Sequence, residues 1–133
     1  MVTDHFYLDS SVAIRILYGQ SALASAWFEK ATADAVVFSS RLLRTELTRV
    51  LRRDNKPLRR RDEILDYIST VSIDDTILAE AEAIIPHVKT LDAIHLASVI
   101  RSGLDATIVT HDATMRAVAS QIGYATLDPV DPM

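Results

Sequence analysis

The chain has 133 residues, of which 49% are hydrophobic and 24% charged, and its formal net charge is −4. This length and apolar fraction predict a single domain, residues 1–133, with one sizeable core. The absence of cysteine excludes disulfides and thiolate metal sites and favours a reducing compartment. No apolar run approaches the ~20 residues that a membrane span needs, and the first residues do not resemble a secretory signal. We therefore expect a cytoplasmic protein that does not enter a membrane.

Short β-rich runs alternate with longer helical runs along the chain. The predicted elements, in chain order, are the strand His5–Asp9, the helices Ser10–Tyr18 and Ser21–Thr32, the strand Ala35–Ser39, the helices Ser40–Asp54 and Leu58–Thr70, the short strand Val71–Ile73, the helices Asp74–Ile85 and Leu91–Ser102, the strand Ala106–Thr110, the helix Asp112–Ile122 and the strand Tyr124–Leu127. The remaining residues, 128–133, are predicted to be loose. This alternation is typical of an α/β protein whose mostly parallel sheet is covered by helices on both faces.

Two aspartates stand where predicted strands end. Asp9 ends the first strand, and Asp112 follows the strand Ala106–Thr110. Ligands of parallel sheets bind outside the carboxyl ends of the strands, so both acids are expected at the same edge of the sheet. For either aspartate alone, a helix N-cap is the more frequent explanation.

A third acid lies on the apolar face of a predicted helix. At 100° per residue, the apolar residues between Leu42 and Leu51 occupy an arc of about 180°. Glu46 falls about 40° into that arc. A carboxylate on the buried face of a helix is costly unless something pairs with it, which makes Glu46 a candidate functional residue.

The helix Leu91–Ser102 has the same anomaly. Asp92 falls near the middle of its apolar arc, about 100° from Leu91, and His95 shares the face. A favourable interaction with the helix dipole explains why Asp92 lies in the first turn but not why it faces inward. A lone histidine on such a face is more often a core residue with its hydrogen bonds satisfied than a ligand.

Four carboxylates are therefore candidates to meet in one pocket: Asp9, Glu46, Asp92 and Asp112. They need a counter-charge, and neither apolar arc contains a lysine or arginine. Mg²⁺ or Mn²⁺, which prefer carboxylate and water oxygens, would supply it. Such a site suggests metal-assisted hydrolysis of a phosphodiester.

Positive charge is concentrated in one segment. Residues 41–61 contain nine basic and two acidic residues, whereas residues 62–133 contain three and twelve. Arg41, Arg44 and Arg52 lie on the polar face of their helix, opposite Glu46. This basic face is predicted either to bind nucleic acid or an acidic partner, or simply to be solvated.

Four segments in order resemble the motifs of PIN-domain proteins. They are YLDSSV (Tyr7–Val12), RTEL (Arg44–Leu47), LDAIHLA (Leu91–Ala97) and VTHD (Val109–Asp112). The resemblance covers nearly the whole chain and is greatest to the VapC toxins of bacterial toxin–antitoxin pairs. It implies a three-layer α/β/α sandwich with a central parallel sheet, often as a homodimer.

The resemblance also implies an activity and partners. The activity is that of an endoribonuclease with Mg²⁺ or Mn²⁺, and the partner is a VapB-type antitoxin whose C-terminal segment blocks the active-site groove. The implied site residues are the catalytic acids Asp9, Glu46, Asp92 and Asp112, the metal ligands Asp9, Asp92 and Asp112, and the neighbouring hydroxyl residues Ser10 and Thr110. Whether Glu46 binds metal directly, binds through water or positions the nucleophile is left open. Arg41, Arg44 and Arg52 are candidates to bind RNA or the antitoxin.

Two other classes of protein also place aspartates at strand ends. A phosphoacceptor signalling domain would need a lysine after a later strand, but Lys30, Lys56 and Lys89 follow no predicted strand. A phosphatase with an aspartate nucleophile would typically have a second aspartate where Ser11 stands. A catalytically inactive binding module is the third alternative, and the complete set of four acids argues against it.

Overall fold

The structure is a computed structural model and describes residues 4–132. Its elements, in chain order, are β1 (His5–Leu8), α1 (Ser10–Leu17), α2 (Ala22–Asp34), β2 (Val36–Ser40), α3 (Arg41–Arg53), a 3-10 helix (Leu58–Arg61), α4 (Asp62–Leu65), β3 (Ser69–Val71), α5 (Asp75–Glu82), α6 (Thr90–Ser102), β4 (Thr107–Val109), α7 (Ala113–Gln121) and β5 (Thr126–Leu127). The five strands form one parallel sheet in the order β3-β2-β1-β4-β5. The predicted α/β class and parallel sheet are confirmed.

Successive residues of the strands face opposite sides of the sheet. On β1, Leu8 packs into a core with α1, α2 and α3, whereas Tyr7 packs into a second core with α6 and α7. Val37 and Phe38 of β2 alternate in the same way. Both faces of the sheet are therefore covered by helices, which gives the three predicted layers. Among residues 4–132, no helix combines the length and apolar character required to cross a membrane.

The strand order reverses direction at β1, because β2 lies on one side of it and β4 on the other. Leu8 is paired with Val109, and the Asp9 amide donates to the Val109 carbonyl at 3.0 Å. The residues that follow β1 and β4 are thus brought side by side. This is the topological switch point, where open parallel sheets bind their ligands.

The predicted helix Leu58–Thr70 is wrong over its second half. After the 3-10 helix, α4 ends at Leu65. The strand β3 is formed by Ser69–Val71 and therefore begins two residues earlier than the predicted strand Val71–Ile73. The Ser69 backbone is paired with Phe38 at the edge of the sheet. Hydrogen bonding to β2 and the β-branched residues at the end of this segment outweigh its local helical pattern.

The prediction that the tail is loose is also wrong for its described part. Asp131 accepts hydrogen bonds from the Ser21 hydroxyl at 2.8 Å and from the Leu23 amide at 3.2 Å. Val130 packs against the core beside α1 and α2. The tail therefore helps to cap the amino end of α2, where unpaired backbone amides need acceptors.

Candidate active site

Asp9 is held in a buried position between β1 and α1, with 2% of its surface exposed. Its carboxylate does not cap α1. Its Oδ2 atom instead accepts hydrogen bonds from Ser11 Oγ at 2.7 Å and Thr110 Oγ1 at 2.8 Å. The N-cap interpretation is therefore wrong for Asp9 but right for Asp112, whose Oδ1 atom accepts from the Met115 amide at 2.9 Å.

Ser11 joins the ends of β1 and β4. Its Oγ atom donates to Asp9, lies 3.2 Å from Thr110 Oγ1 and accepts from the His111 amide at 2.9 Å. The sequence prediction included Thr110 but omitted Ser11. The sequence feature that could have identified Ser11 is its position two residues after Asp9, because a hydroxyl there can reach back to the carboxylate at the start of a helix.

The other predicted hydroxyl residue, Ser10, contacts a different acid. Its Oγ atom donates to Glu46 Oε2 at 3.0 Å. Glu46 faces inward from α3, as its helical position predicts, and 19% of its side chain is exposed. The first turn of α1 therefore orients two acids through adjacent serines, Asp9 through Ser11 and Glu46 through Ser10.

His95 lies between these two acids and is fully buried on α6. Its Nε2 atom is 2.6 Å from Glu46 Oε1 and 3.7 Å from Asp9 Oδ1, and its Nδ1 atom is 2.7 Å from the Tyr7 hydroxyl. Burial by itself lowers the pKa of the His95 imidazole. The oxygens of Tyr7, Glu46 and Asp9 raise that pKa by more, to about 10.

At neutral pH, this raised pKa favours the imidazolium form of His95, whose Nε2–H group donates to Glu46. Its hydrogen bonds are satisfied, as expected of a core histidine, but the groups that satisfy them belong to the acid site. His95 thus supplies part of the counter-charge that the acids need. A search of the apolar arcs for lysine and arginine does not reveal it. Glu46 and His95 each lie about 40° into the apolar arc of their own helix. Two inward-facing polar residues of opposite charge are the sequence feature that could have predicted this pair.

Asp92 completes the acid cluster from the first turn of α6. Partial burial raises the pKa of its carboxyl group, and the negative charges of Asp9 and Asp112 raise it further. His95 lowers that pKa by less, so the pKa of Asp92 stays above its usual value. The structure thus places Asp9, Asp112 and Glu46 within electrostatic range of Asp92 and leaves Asp92 incompletely neutralised.

A hard divalent cation fits the donor chemistry of this cluster. Asp9, Asp92 and Asp112 offer carboxylate oxygens, and their mutual repulsion is what a cation would relieve. Within residues 4–132, no three His, Asp or Glu side chains already stand close enough to hold one ion together. The donor types therefore fit Mg²⁺ or Mn²⁺, whereas the described side chains do not converge closely enough to hold one ion.

The predicted basic face is exposed along α3. Arg41, Arg44 and Arg52 are all exposed, and Arg41 begins the helix at the carboxyl end of β2, on the same edge of the sheet as the acids. Arg60 and Arg61 of the same basic segment instead donate hydrogen bonds to protein oxygens at 2.7 and 2.8 Å. The segment is therefore partly structural, whereas its α3 portion presents the predicted face.

Comparisons with known proteins agree with this architecture. Residues 6–121 match a family model described as PIN domain. Ribonuclease VapC46 of Mycobacterium tuberculosis is 31% identical over 126 residues, which cover 92% of this chain and 96% of that protein.

Two solved structures share the fold over nearly the whole chain. VapBC2 from Rickettsia felis, bound to a promoter DNA fragment, gives a TM-score of 0.74 at 12% identity, with 96% of this chain and 99% of that chain covered. A toxin–antitoxin complex from Klebsiella pneumoniae gives a TM-score of 0.71 at 16% identity, with 95% and 98% covered. At sequence identities this low, the structural similarity establishes a shared fold and no more.

Proposed function

This chain belongs to the PIN-domain family, and we propose that it is a metal-dependent endoribonuclease that acts as the toxin of a toxin–antitoxin pair. The observation that carries the proposal is that Asp9 and Asp112 follow the central strands at the switch point of the sheet, close enough with Glu46 to raise the pKa of Asp92. A relative at 31% identity is named a ribonuclease, and structures with the same fold are toxin–antitoxin complexes. Both support the proposal.

In this proposal the acids have separate tasks. Asp9, Asp92 and Asp112 would hold Mg²⁺ or Mn²⁺, which when bound supplies positive charge to the phosphodiester and lowers the pKa of a water molecule. Ser11 and Thr110 occupy one oxygen of Asp9 and fix the direction of the other. Both oxygens of Glu46 already accept hydrogen bonds from protein groups, which favours a positioning role for Glu46 over direct ligation.

Cleavage of RNA should require Mg²⁺ or Mn²⁺, because the acids repel one another and the substrate unless a cation neutralises them. The measurement is cleavage of single-stranded RNA by the purified chain with each metal, with excess chelator, and after the metal is restored. Ca²⁺ should bind but support little cleavage, because its looser coordination places the attacking water poorly. Full activity in excess chelator would contradict the proposal.

The exposed face of α3 is proposed to bind RNA, because the backbone phosphates of a strand at the acid site need compensating charge. Replacing Arg41, Arg44 and Arg52 with Gln should weaken RNA binding by an Asp9→Asn protein across unrelated sequences. For every arginine that pairs with a phosphate, its replacement should lower the log–log salt slope by roughly 0.7. The alternative occupant is a VapB-type antitoxin, and it is supported instead if the triple variant keeps its RNA affinity but no longer forms the antitoxin complex.

A homodimer is also proposed. Helices α5 and α6 border a cavity of about 450 Å³ whose lining includes the exposed apolar side chains of Leu78 and Ile85. Ile85 is 94% exposed, which is unfavourable for a large apolar side chain unless another surface covers it. Ile85→Glu should therefore shift the mass in solution from dimer to monomer, whereas a wild-type chain that is already monomeric would refute the proposal.

A further inference from the structure

A second polar cluster borders the acid site on the β4–β5 side. Asp128 directly follows β5, and its Oδ2 atom lies 2.9 Å from His111 Nδ1 and 3.8 Å from Arg116 Nη1. The His111 amide donates to Ser11 Oγ, and that hydroxyl donates to Asp9. The cluster is therefore attached to the acid site through two consecutive hydrogen bonds.

Arg116 is directed toward this edge of the sheet by its place on α7. Its amide donates to the Asp112 carbonyl at 3.0 Å, which places the two residues one helical turn apart on the same face. Helical side chains lean toward the amino end of their helix, which for α7 is the end at the acid site. The Arg116 guanidinium is thus directed toward the end of α7 that carries Asp112.

Within residues 4–132, the Arg116 side chain has an ion pair with Asp128 but no hydrogen bond. Its Nε atom is buried and has no hydrogen-bond acceptor within residues 4–132. Its approach to Asp128, at 3.8 Å, is too long for a hydrogen bond, because the nearer position on that carboxylate is taken by His111. The Nε atom is shielded, but 42% of the Arg116 side chain is exposed, so an external acceptor can reach the guanidinium through its Nη atoms.

We propose that Arg116 binds the RNA phosphate next to the one that is cleaved, and that His111 and Asp128 are positioning residues that keep its guanidinium at the rim of the acid site. The inference rests on the proposed function, because it assumes that an RNA strand crosses the acids. A guanidinium matches the paired oxygens of a phosphate and stays charged throughout the physiological pH range. With Arg41 on the β2 side, Arg116 would compensate the strand's charge on the opposite flank of the acids.

The first test compares two arginine variants in an Asp9→Asn background, which removes cleavage. Arg116→Gln should weaken binding of single-stranded RNA about tenfold at low salt and reduce the salt slope by roughly 0.7. Arg101→Gln is the matched control, because Arg101 is exposed at the end of α6, toward the opposite edge of the sheet. It removes the same charge and should leave the affinity and slope close to those of the parent protein.

The second test locates the bound phosphate along the RNA. A neutral methylphosphonate is placed at each linkage around the cleavage site, and its effect on binding is measured with and without Arg116→Gln. At the linkage that Arg116 binds, the two changes should not be additive, whereas at the other linkages they should be. Asp128→Asn should reduce the coupling at that linkage, because the guanidinium then loses its anchor.

Failure of this inference is distinguishable from failure of the proposed function. If the wild-type protein cleaves RNA but Arg116→Gln binds like Arg101→Gln, or is additive at every linkage, the inference is overturned and the proposed function stands. Weakened antitoxin binding with unchanged RNA binding would likewise overturn it and assign Arg116 to the partner protein. If the wild-type protein cleaves no RNA with Mg²⁺ or Mn²⁺, the proposed function fails and this inference fails with it.

Discussion

Replacing either Asp9 or Asp92 with asparagine should reduce RNA cleavage by about a thousandfold or more while leaving the fold intact. Each substitution removes a carboxylate from the cluster proposed to hold the metal, whose charge stabilises the transition state by several kcal/mol. Asparagine has nearly the same shape, so the hydrogen bonds from Ser11 and Thr110 to position 9 can persist. The measurement is single-turnover cleavage at saturating Mg²⁺, with circular dichroism to verify the fold.

Asp105→Asn is the matched control for this prediction. Asp105 is an exposed carboxylate before β4, at the opposite edge of the sheet, and the substitution changes the net charge by the same amount. It should cleave RNA at close to the wild-type rate. Wild-type rates for both Asp9→Asn and Asp92→Asn would refute the assignment of the site.

Asp92→Asn and Glu46→Gln should have different effects on stability without metal. The pKa of Asp92 is raised in the folded protein, which means that folding disfavours its charged form. Asp92→Asn should therefore raise the melting temperature of the metal-free protein. Glu46→Gln should not, because Glu46 is paired with His95 and Ser10 rather than crowded by like charges. Simple repulsion among four equivalent acids would predict stabilisation by both variants.

This difference shows what the sequence can and cannot predict. Helical periodicity places Glu46 and Asp92 on inward faces, because that depends only on positions within one helix. Whether an inward acid is paired or crowded depends on contacts between distant elements. Tyr7 and His95, which are 88 positions apart, meet only when β1 and α6 pack together.

The two N-cap candidates illustrate the same limit. Asp9 and Asp112 both follow a strand and precede a helix, so local sequence assigns them the same role. Asp9 does not cap its helix, because two hydroxyl groups from α1 and the end of β4 hold its carboxylate in the pocket. The early β3 strand is a further case, since pairing with β2 determines where α4 ends.

His95→Leu should lower the free energy of unfolding by about 3–5 kcal/mol. The substitution replaces the buried cation with an apolar group and leaves the carboxylates of Asp9 and Glu46 and the Tyr7 hydroxyl without the ring that they contact. Burying a charge without a partner costs far more than the modest gain from a pair on the surface. The melting temperature should fall by about 10 °C or more.

Urea denaturation of matched variants tests this role of His95. His5→Leu is the control, because it removes a partly exposed histidine from the start of β1, at the end of the strand away from Asp9, and it should change stability little. His95→Gln, which can still donate one hydrogen bond, should show an intermediate loss if His95→Leu proves too unstable to measure. Adding Glu46→Gln to His95→Leu should recover part of the loss, because the second substitution removes one of the two buried charges left unpaired. Equal stability of His95→Leu and His5→Leu would show that the histidine does not neutralise the acids.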